Sequence, residues 1–165
     1  MKQYSDYYRA VDGYLKNFNK FKVAIENLES ERQAKLFQLS GYSTPIARYG
    51  EGSYGGGSDN LTQPEAMTAK RLKLAEEAES IMKDIAEIQR IIDKVDKALE
   101  GLDHDHRQAV VLSYFERLDW WKIADEMHYS AKWCRNLRDQ ALQDMALMIF
   151  GIKACPGELK FCFMS

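Results

Sequence analysis

Apolar residues recur every three or four positions over two long stretches of the chain. In the first, Tyr4, Tyr7, Val11, Tyr14, Phe18, Phe21, Ile25 and Leu28 alternate at those spacings. That places all of them on one stripe of a helix. Arg32 breaks the run, and Leu36 and Leu39 carry a looser version of it to about residue 40. Gly13 falls inside the pattern at a cost of up to ~1 kcal/mol relative to Ala, too little to split the helix. The second stretch runs through Leu74, Ala78, Ile81, Ile85, Ile88, Ile92, Val95, Leu99 and Leu102, with charged residues crowding the positions between. Sustained over several heptads, this is the pattern of a coiled coil. Thr62-Gln63-Pro64-Glu65 ahead of it has the spacing of a capping box, with proline in the first turn. Each pattern predicts a helix of about 36 residues, ~54 Å long.

Between the two lies residues 41–64, where six of the chain's ten glycines fall from Gly41 to Gly57 among serines, Asp59 and Asn60. Such a segment buries too little apolar surface to offset the entropy of ordering it, so it reads as a flexible linker. A phosphate-cradling loop would need a preceding strand and a Walker-type lysine, and neither is present. The linker lets the two helices fold back antiparallel within one chain, and the large aromatic stripe against Ile/Leu favours that hairpin. Either stripe could instead pair with a second copy.

Shorter elements follow. Gly101 and Asp103 are expected to interrupt the second helix, with Asp103 capping the next, at about 104–116. After Arg117-Leu118-Asp119 the pattern predicts a helix over 120–127, a turn at His128-Tyr129-Ser130, and a last helix from Ala131 to about Phe150. Short helices with a tight turn between the last two are the layout of a helix-turn-helix. The residue types fit its mechanics. Asp119 is placed to cap the first helix of the pair and Ser130 the second. Ile123, Ala124 and Met127 have core-facing spacing, and Cys134, Leu137, Ala141 and Met145 continue an inner stripe. His128 stands where a left-handed residue is needed, a backbone that His tolerates better than most. Tyr129 is expected to plug the gap beside it.

With Cys134 inward, a rotation of 100° per residue turns Lys132, Asn136 and Asp139 outward, with Trp133 and Arg135 flanking and Arg138 nearer the inner edge. Arg and Lys suit guanine edges or phosphates, and Asn suits adenine. In a helix-turn-helix the second helix enters the major groove by its N-terminus while the first lies against the backbone. Lys122 and the amides near Trp120 are then placed for phosphate contact. The candidate DNA-binding residues are Lys122, Ser130, Lys132, Trp133, Arg135, Asn136 and Arg138.

Composition narrows the setting. The chain has 165 residues, 45% hydrophobic and 29% charged, with a formal charge of −2. A wholesale polycation is excluded, so DNA contact must come from a local patch. No apolar run approaches the ~18–20 residues that span a bilayer, and the first residues lack a signal peptide's apolar region, so no membrane partner is expected. Three cysteines, Cys134, Cys155 and Cys162, have no framework spacing and suggest a reduced, cytoplasmic protein. His104 and His106 would point about 200° apart on a helix, poor geometry for a metal. Cys155 and Cys162 lack the two further ligands of a structural zinc. Without a nucleophile–base pair, paired carboxylates or a cofactor fingerprint, neither catalysis nor a bound cofactor is expected.

The run from Leu118 to Ser130, followed by Cys134 and Gln140-Ala141-Leu142, resembles region 4 of sigma factors, the helix-turn-helix that reads the −35 promoter element. The longer frame, with Ala98-Leu99-Glu100-Gly101-Leu102, Arg107 and Ser113-Tyr114-Phe115, is similar to RinA/ArpU-type regulators, which activate late genes of Gram-positive phages. The resemblance covers about residues 65–151 and departs from the pattern at His128 and at bulky Trp133. It implies binding to double-stranded DNA near a promoter and, by analogy with region 4, contact with RNA polymerase. Residues 1–64 do not resemble the promoter-melting region of sigma factors, which favours an activator over a stand-alone sigma factor. The expectation is therefore an all-α protein in five parts. A heptad helix at 1–40, a linker at 41–64 and a second heptad helix at 65–102 are followed by a helix-turn-helix domain at 103–151 and a tail at 152–165. Two other readings compete: a helical protein-interaction adaptor, and a recognition subunit for phage DNA packaging. Homodimerisation is left open.

Overall fold

The computed structural model describes residues 2–41 and 63–155, with side chains from residue 6 onward. Expectations for the Tyr4 side chain, the linker over 42–62, the Thr62 cap and Cys162 lie outside the described residues. Every regular element among the described residues is helical. In chain order these are α1 (Lys2–Gly41), α2 (Gln63–Gly101), α3 (His104–Val110), a π-turn (Val111–Phe115), α4 (Trp120–Met127), α5 (Ala131–Phe150) and a 3₁₀ turn (Gly151–Ala154). None of these helices is long and apolar enough to cross a membrane.

The chain packs as two compact units, one combining Met1–Lys22 with Gln89–Ser165, the other formed by Val23–Ile88. Each long helix therefore contributes to both units. In the Val23–Ile88 unit, Ile25, Ala78 and Ile81 are buried and the two helices are joined by Lys35 Nζ to Glu77 Oε2 at 2.8 Å. That contact holds the Glu77 carboxyl below its usual range and raises the Lys35 ammonium, although both groups are solvated.

The other unit holds the larger core. Val11, Leu15 and Phe18 of α1 and Ile92, Val95, Ala98 and Leu102 near the end of α2 are buried, together with the inner faces of α3, α4 and α5. Leu15 and Ala98 were not on the heptad stripes. They are buried because these helices meet more than one neighbour, which widens the apolar face beyond a two-position seam. Tyr7 and Tyr14, on the stripe, meet such a further neighbour, with their rings 5.0 and 6.2 Å from that of Phe150 in α5.

One local expectation holds and two are corrected. Helix α2 ends at Gly101, as the sequence predicts, but without a left-handed glycine. Arg107 reaches back to that helix end and donates from Nε to the Leu99 carbonyl (2.8 Å) and from Nη2 to those of Glu100 (2.6 Å) and Leu102 (3.0 Å). A cation on carbonyls that lack helical partners stabilises a helix C-terminus that no left-handed residue closes. The helix expected over 104–116 is α-helical only to Val110, then widens into the π-turn, where Glu116 N–H bonds the Val111 carbonyl at 3.1 Å. The wider turn presents Tyr114 and Phe115 to α1: the Tyr114 hydroxyl donates to Asp12 Oδ1 at 2.6 Å, and the Phe115 ring meets Phe18 edge-on at 5.3 Å. The start of the expected tail is packed, with Ala154 and Cys155 buried after Gly151 ends α5 at φ 67°, ψ −152°, a region only glycine occupies readily.

Asp103 does cap α3, accepting from His106 N–H at 3.0 Å. Its carboxylate also meets His106 Nδ1 at 2.7 Å, while Nε2 lies 3.3 Å from Gln140 of α5. Burial works against the imidazolium, yet these two partners outweigh it and raise the His106 pKa above its ordinary value. The raised pKa makes this tie between α3 and α5 fully stabilising below about pH 6.5, and the contribution should fade as pH rises through the folded-state value. Melting temperature followed against pH should show that decline in the wild type and a flatter profile in His106→Gln. Gly13 has open space where a Cβ would stand, so Gly13→Ala should stabilise α1 by about 0.5–1 kcal/mol in a urea titration.

Candidate nucleic-acid interface

The pair α4 and α5 is set by the turn between them. His128 is left-handed (φ 57°, ψ 33°), as the spacing predicts, and the turn closes with Tyr129 N–H on the Ala124 carbonyl (3.1 Å) and His128 N–H on that of Asp125 (3.4 Å). This double closure is the usual helix ending at a glycine, here made by histidine. Ser130 Oγ then accepts Trp133 N–H at 3.2 Å and starts α5. Asp119 has the extended backbone of a cap, and its carbonyl accepts Lys122 N–H (2.9 Å) and Ile123 N–H (3.0 Å). Its carboxylate makes no capping bond, which corrects that expectation. Tyr129 does not plug the interior either. It is exposed, and its hydroxyl donates to Asp105 Oδ2 at 3.0 Å, tying the turn to α3 from outside.

Behind the turn, Ala109, Leu112, Ile123, Met127, Cys134 and Leu137 form one buried cluster, with Leu118, Trp120 and Ala124 packed on it. The tandem Trp120 and Trp121 divide as adjacent helical positions must: the first lies on the core, the second is 66% exposed. Burying Cys134 orients the first turns of α5, and Lys132, Trp133, Arg135 and Asn136 stand in solvent on one side of it. Trp133 is 48% exposed, unusually open for an indole. Arg135 stacks over the Trp120 ring at 5.3 Å, and Lys122 lies 5.3 Å from Trp121. The first turns of α5 thus carry a polar, cationic and aromatic surface joined through Trp120 to the start of α4.

One turn further on, the side chains are held by α1. Tyr8 donates to Asp139 Oδ1 at 3.1 Å, so Asp139, expected outward, is half-buried. Arg138 Nε lies 2.7 Å from the same oxygen, a close charge contact rather than an aligned hydrogen bond, and its guanidinium is 5.1 Å from the Trp120 ring centre. Burial, reinforced by Asp139, pushes the Tyr8 phenol up to about 12. Burial and Asp12 raise Tyr114 further still. Both phenols therefore remain hydrogen-bond donors at any physiological pH. Burial opposes the Asp12 carboxylate, but bonds from Lys16 (2.6 Å) and Tyr114 outweigh it and hold its pKa below the usual range. Of the seven residues named from the sequence, Lys122, Ser130, Lys132, Trp133, Arg135 and Asn136 are exposed. Ser130 is engaged in its cap and Arg138 is largely withdrawn. The pattern along the chain gave no sign of the α1 residues Tyr8 and Asp12 beside this surface, because their partners Asp139 and Tyr114 are more than ninety positions away, and Lys16 comes with them through its bond to Asp12.

Comparison with protein-family models, with curated proteins and with solved structures found no match for this chain.

Tyr114→Phe should cost about 1.5–3 kcal/mol in chemical denaturation, the value of a hydrogen bond to a charged group. It should also return the Asp12 pKa toward its ordinary value. The stability that Asp12 contributes is present above pH ~4 and lost as pH falls through its depressed folded-state pKa. Acid titrations of wild type and variant should therefore converge at low pH.

Proposed function

We propose that this protein is a sequence-specific, double-stranded-DNA-binding regulator of transcription, with α4 and α5 acting as a helix-turn-helix of the sigma region 4 kind. The observation that carries the reading is the exposed group Lys132, Trp133, Arg135 and Asn136 on the first turns of α5, presented beyond a tight left-handed turn. A helix start of that composition fits the major groove, with Arg and Lys reading guanine or phosphate and Asn reading adenine. Lys122 near the start of α4 takes a flanking phosphate. In this reading the long helices form an antiparallel hairpin that sets spacing or holds a partner. The resemblance to RinA/ArpU-type late-gene activators makes RNA polymerase the first partner to test. A formal charge of −2 limits the affinity of one copy, so a second copy or the polymerase would supply the remainder.

A second reading has its own observation. Val23, Phe37 and Leu72, all in the Val23–Ile88 unit, are more than half exposed, with Phe37 at 80%. Apolar side chains in solvent on long helices suit an adaptor that binds partner helices.

Fluorescence anisotropy with duplex fragments recovered by footprinting tests the first reading. The logarithm of the binding constant should fall linearly with the logarithm of salt concentration. Lys132→Ala and Arg135→Ala should each weaken binding about tenfold, and more if the lost contact is bidentate. A double variant that binds like wild type at every salt concentration would end the DNA reading and leave the adaptor.

A further inference from the structure

Beside the α5 surface lies a cleft of about 390 Å³, bounded by α1, the π-turn, the start of α4 and α5. Three cations line it, Lys16, Arg117 and Arg138, against a single carboxylate among the described residues, Asp12. That carboxylate is already occupied by Lys16 at 2.6 Å and by the Tyr114 hydroxyl at 2.6 Å. Asp139 does not line the cleft and touches Arg138 through Nε, and the outer amino groups of that guanidinium hydrogen-bond to none of the described residues. Arg117 forms no ion pair among the described residues. Its backbone is left-handed, at φ 53°, in the reversal closed by Leu118 N–H on the Leu112 carbonyl at 3.0 Å. A glycine or asparagine would adopt that conformation at less strain, so the position holds an arginine against its backbone preference. Non-glycine residues kept in such conformations cluster at binding sites.

We propose that this cleft is a phosphate site in which Arg117 and Arg138 grip the anion and Lys16 adds charge from α1. Arginine's planar fork matches two phosphate oxygens at once, and two such forks lining one cleft suit a tetrahedral anion. The volume lies near the lower end of small-ligand pockets, enough for a phosphate with part of its ester. Trp120 lines the cleft and also carries Arg135, so the site continues directly into the face assigned to DNA. The phosphate is therefore either a backbone phosphodiester of the bound duplex or the monoester of a free nucleotide. The first source rests on the DNA reading; the second does not.

The test uses the full chain and the variants Arg117→Gly and Arg117→Asn, both of which suit the left-handed backbone. Inorganic phosphate and adenosine monophosphate are titrated at constant ionic strength while the Trp120 indole and arginine side-chain NMR signals are followed. Wild type should respond saturably, and either variant should lose at least tenfold in phosphate affinity with no drop in melting temperature. In the duplex arm, a backbone source means that Arg117→Gly lowers the salt slope of DNA binding by about one. An unchanged slope with lost nucleotide binding assigns the monoester. Phosphate bound equally by wild type and variants, or by neither with the slope unchanged, overturns the proposal. That result alongside DNA binding sensitive to Lys132 and Arg135 would remove the cleft and keep the DNA reading. Arg117-dependent phosphate binding in a chain that ignores duplex DNA would do the reverse.

Discussion

Two residues in left-handed backbone, Arg117 and His128, bracket α4: the first turns the chain between the π-turn and the Asp119 cap, and the second ends the helix. Neither is glycine, and each carries a strain on the order of 1–2 kcal/mol. Between them the helix is only Trp120–Met127, far too short to be stable alone. What holds it is the cluster under its inner face. Burying Ile123 and Met127 contributes about 1.5–3 kcal/mol each, which offsets both strained turns. The same cluster includes Cys134 and Leu137, so the packing that holds α4 also fixes the roll of α5. The exposed face of α5 is a consequence of that buried one.

Helix α1 then trims the face. Its Tyr8 holds Asp139, Asp139 holds Arg138, and Arg138 shares the Trp120 ring with Arg135. Arg138 and Asp139 are thereby withdrawn from the face that Lys132, Trp133, Arg135 and Asn136 present on the first turns of α5. Charge follows the same division. The chain is slightly acidic as a whole, and Asp125 and Glu126 are exposed towards the end of α4. The cations Lys132 and Arg135 stand at the start of α5, and Lys16, Arg117 and Arg138 line the cleft.

The pieces legible in the sequence were those governed by neighbours in the chain. The limits of α4 and α5 follow from caps and apolar periodicity. The left-handed His128 follows from its place between two helical runs, and the opposed fates of Trp120 and Trp121 from adjacent positions on one helix. Lys132, Trp133, Arg135 and Asn136 could be placed outward because Cys134 had to face in. Local identity does not settle every contact: Asp119 has the right identity for a side-chain cap but leaves its carboxylate free, and α2 ends at Gly101 with Arg107 rather than a left-handed glycine on its last carbonyls.

The sequence by itself determined the all-helical class, the helix limits around the turn and the side of α5 that meets water. Each depends on residues a few positions apart, where backbone sterics and helical periodicity dominate. Only the tertiary structure decided that the chain packs as Met1–Lys22 with Gln89–Ser165 and, separately, Val23–Ile88. It alone widened α3 into a π-turn, and it alone brought Lys16, Arg117 and Arg138 around one cleft. Those outcomes depend on side chains far apart in sequence finding hydrogen-bond and charge partners once the core has closed, and periodicity along the chain carries no record of such pairings.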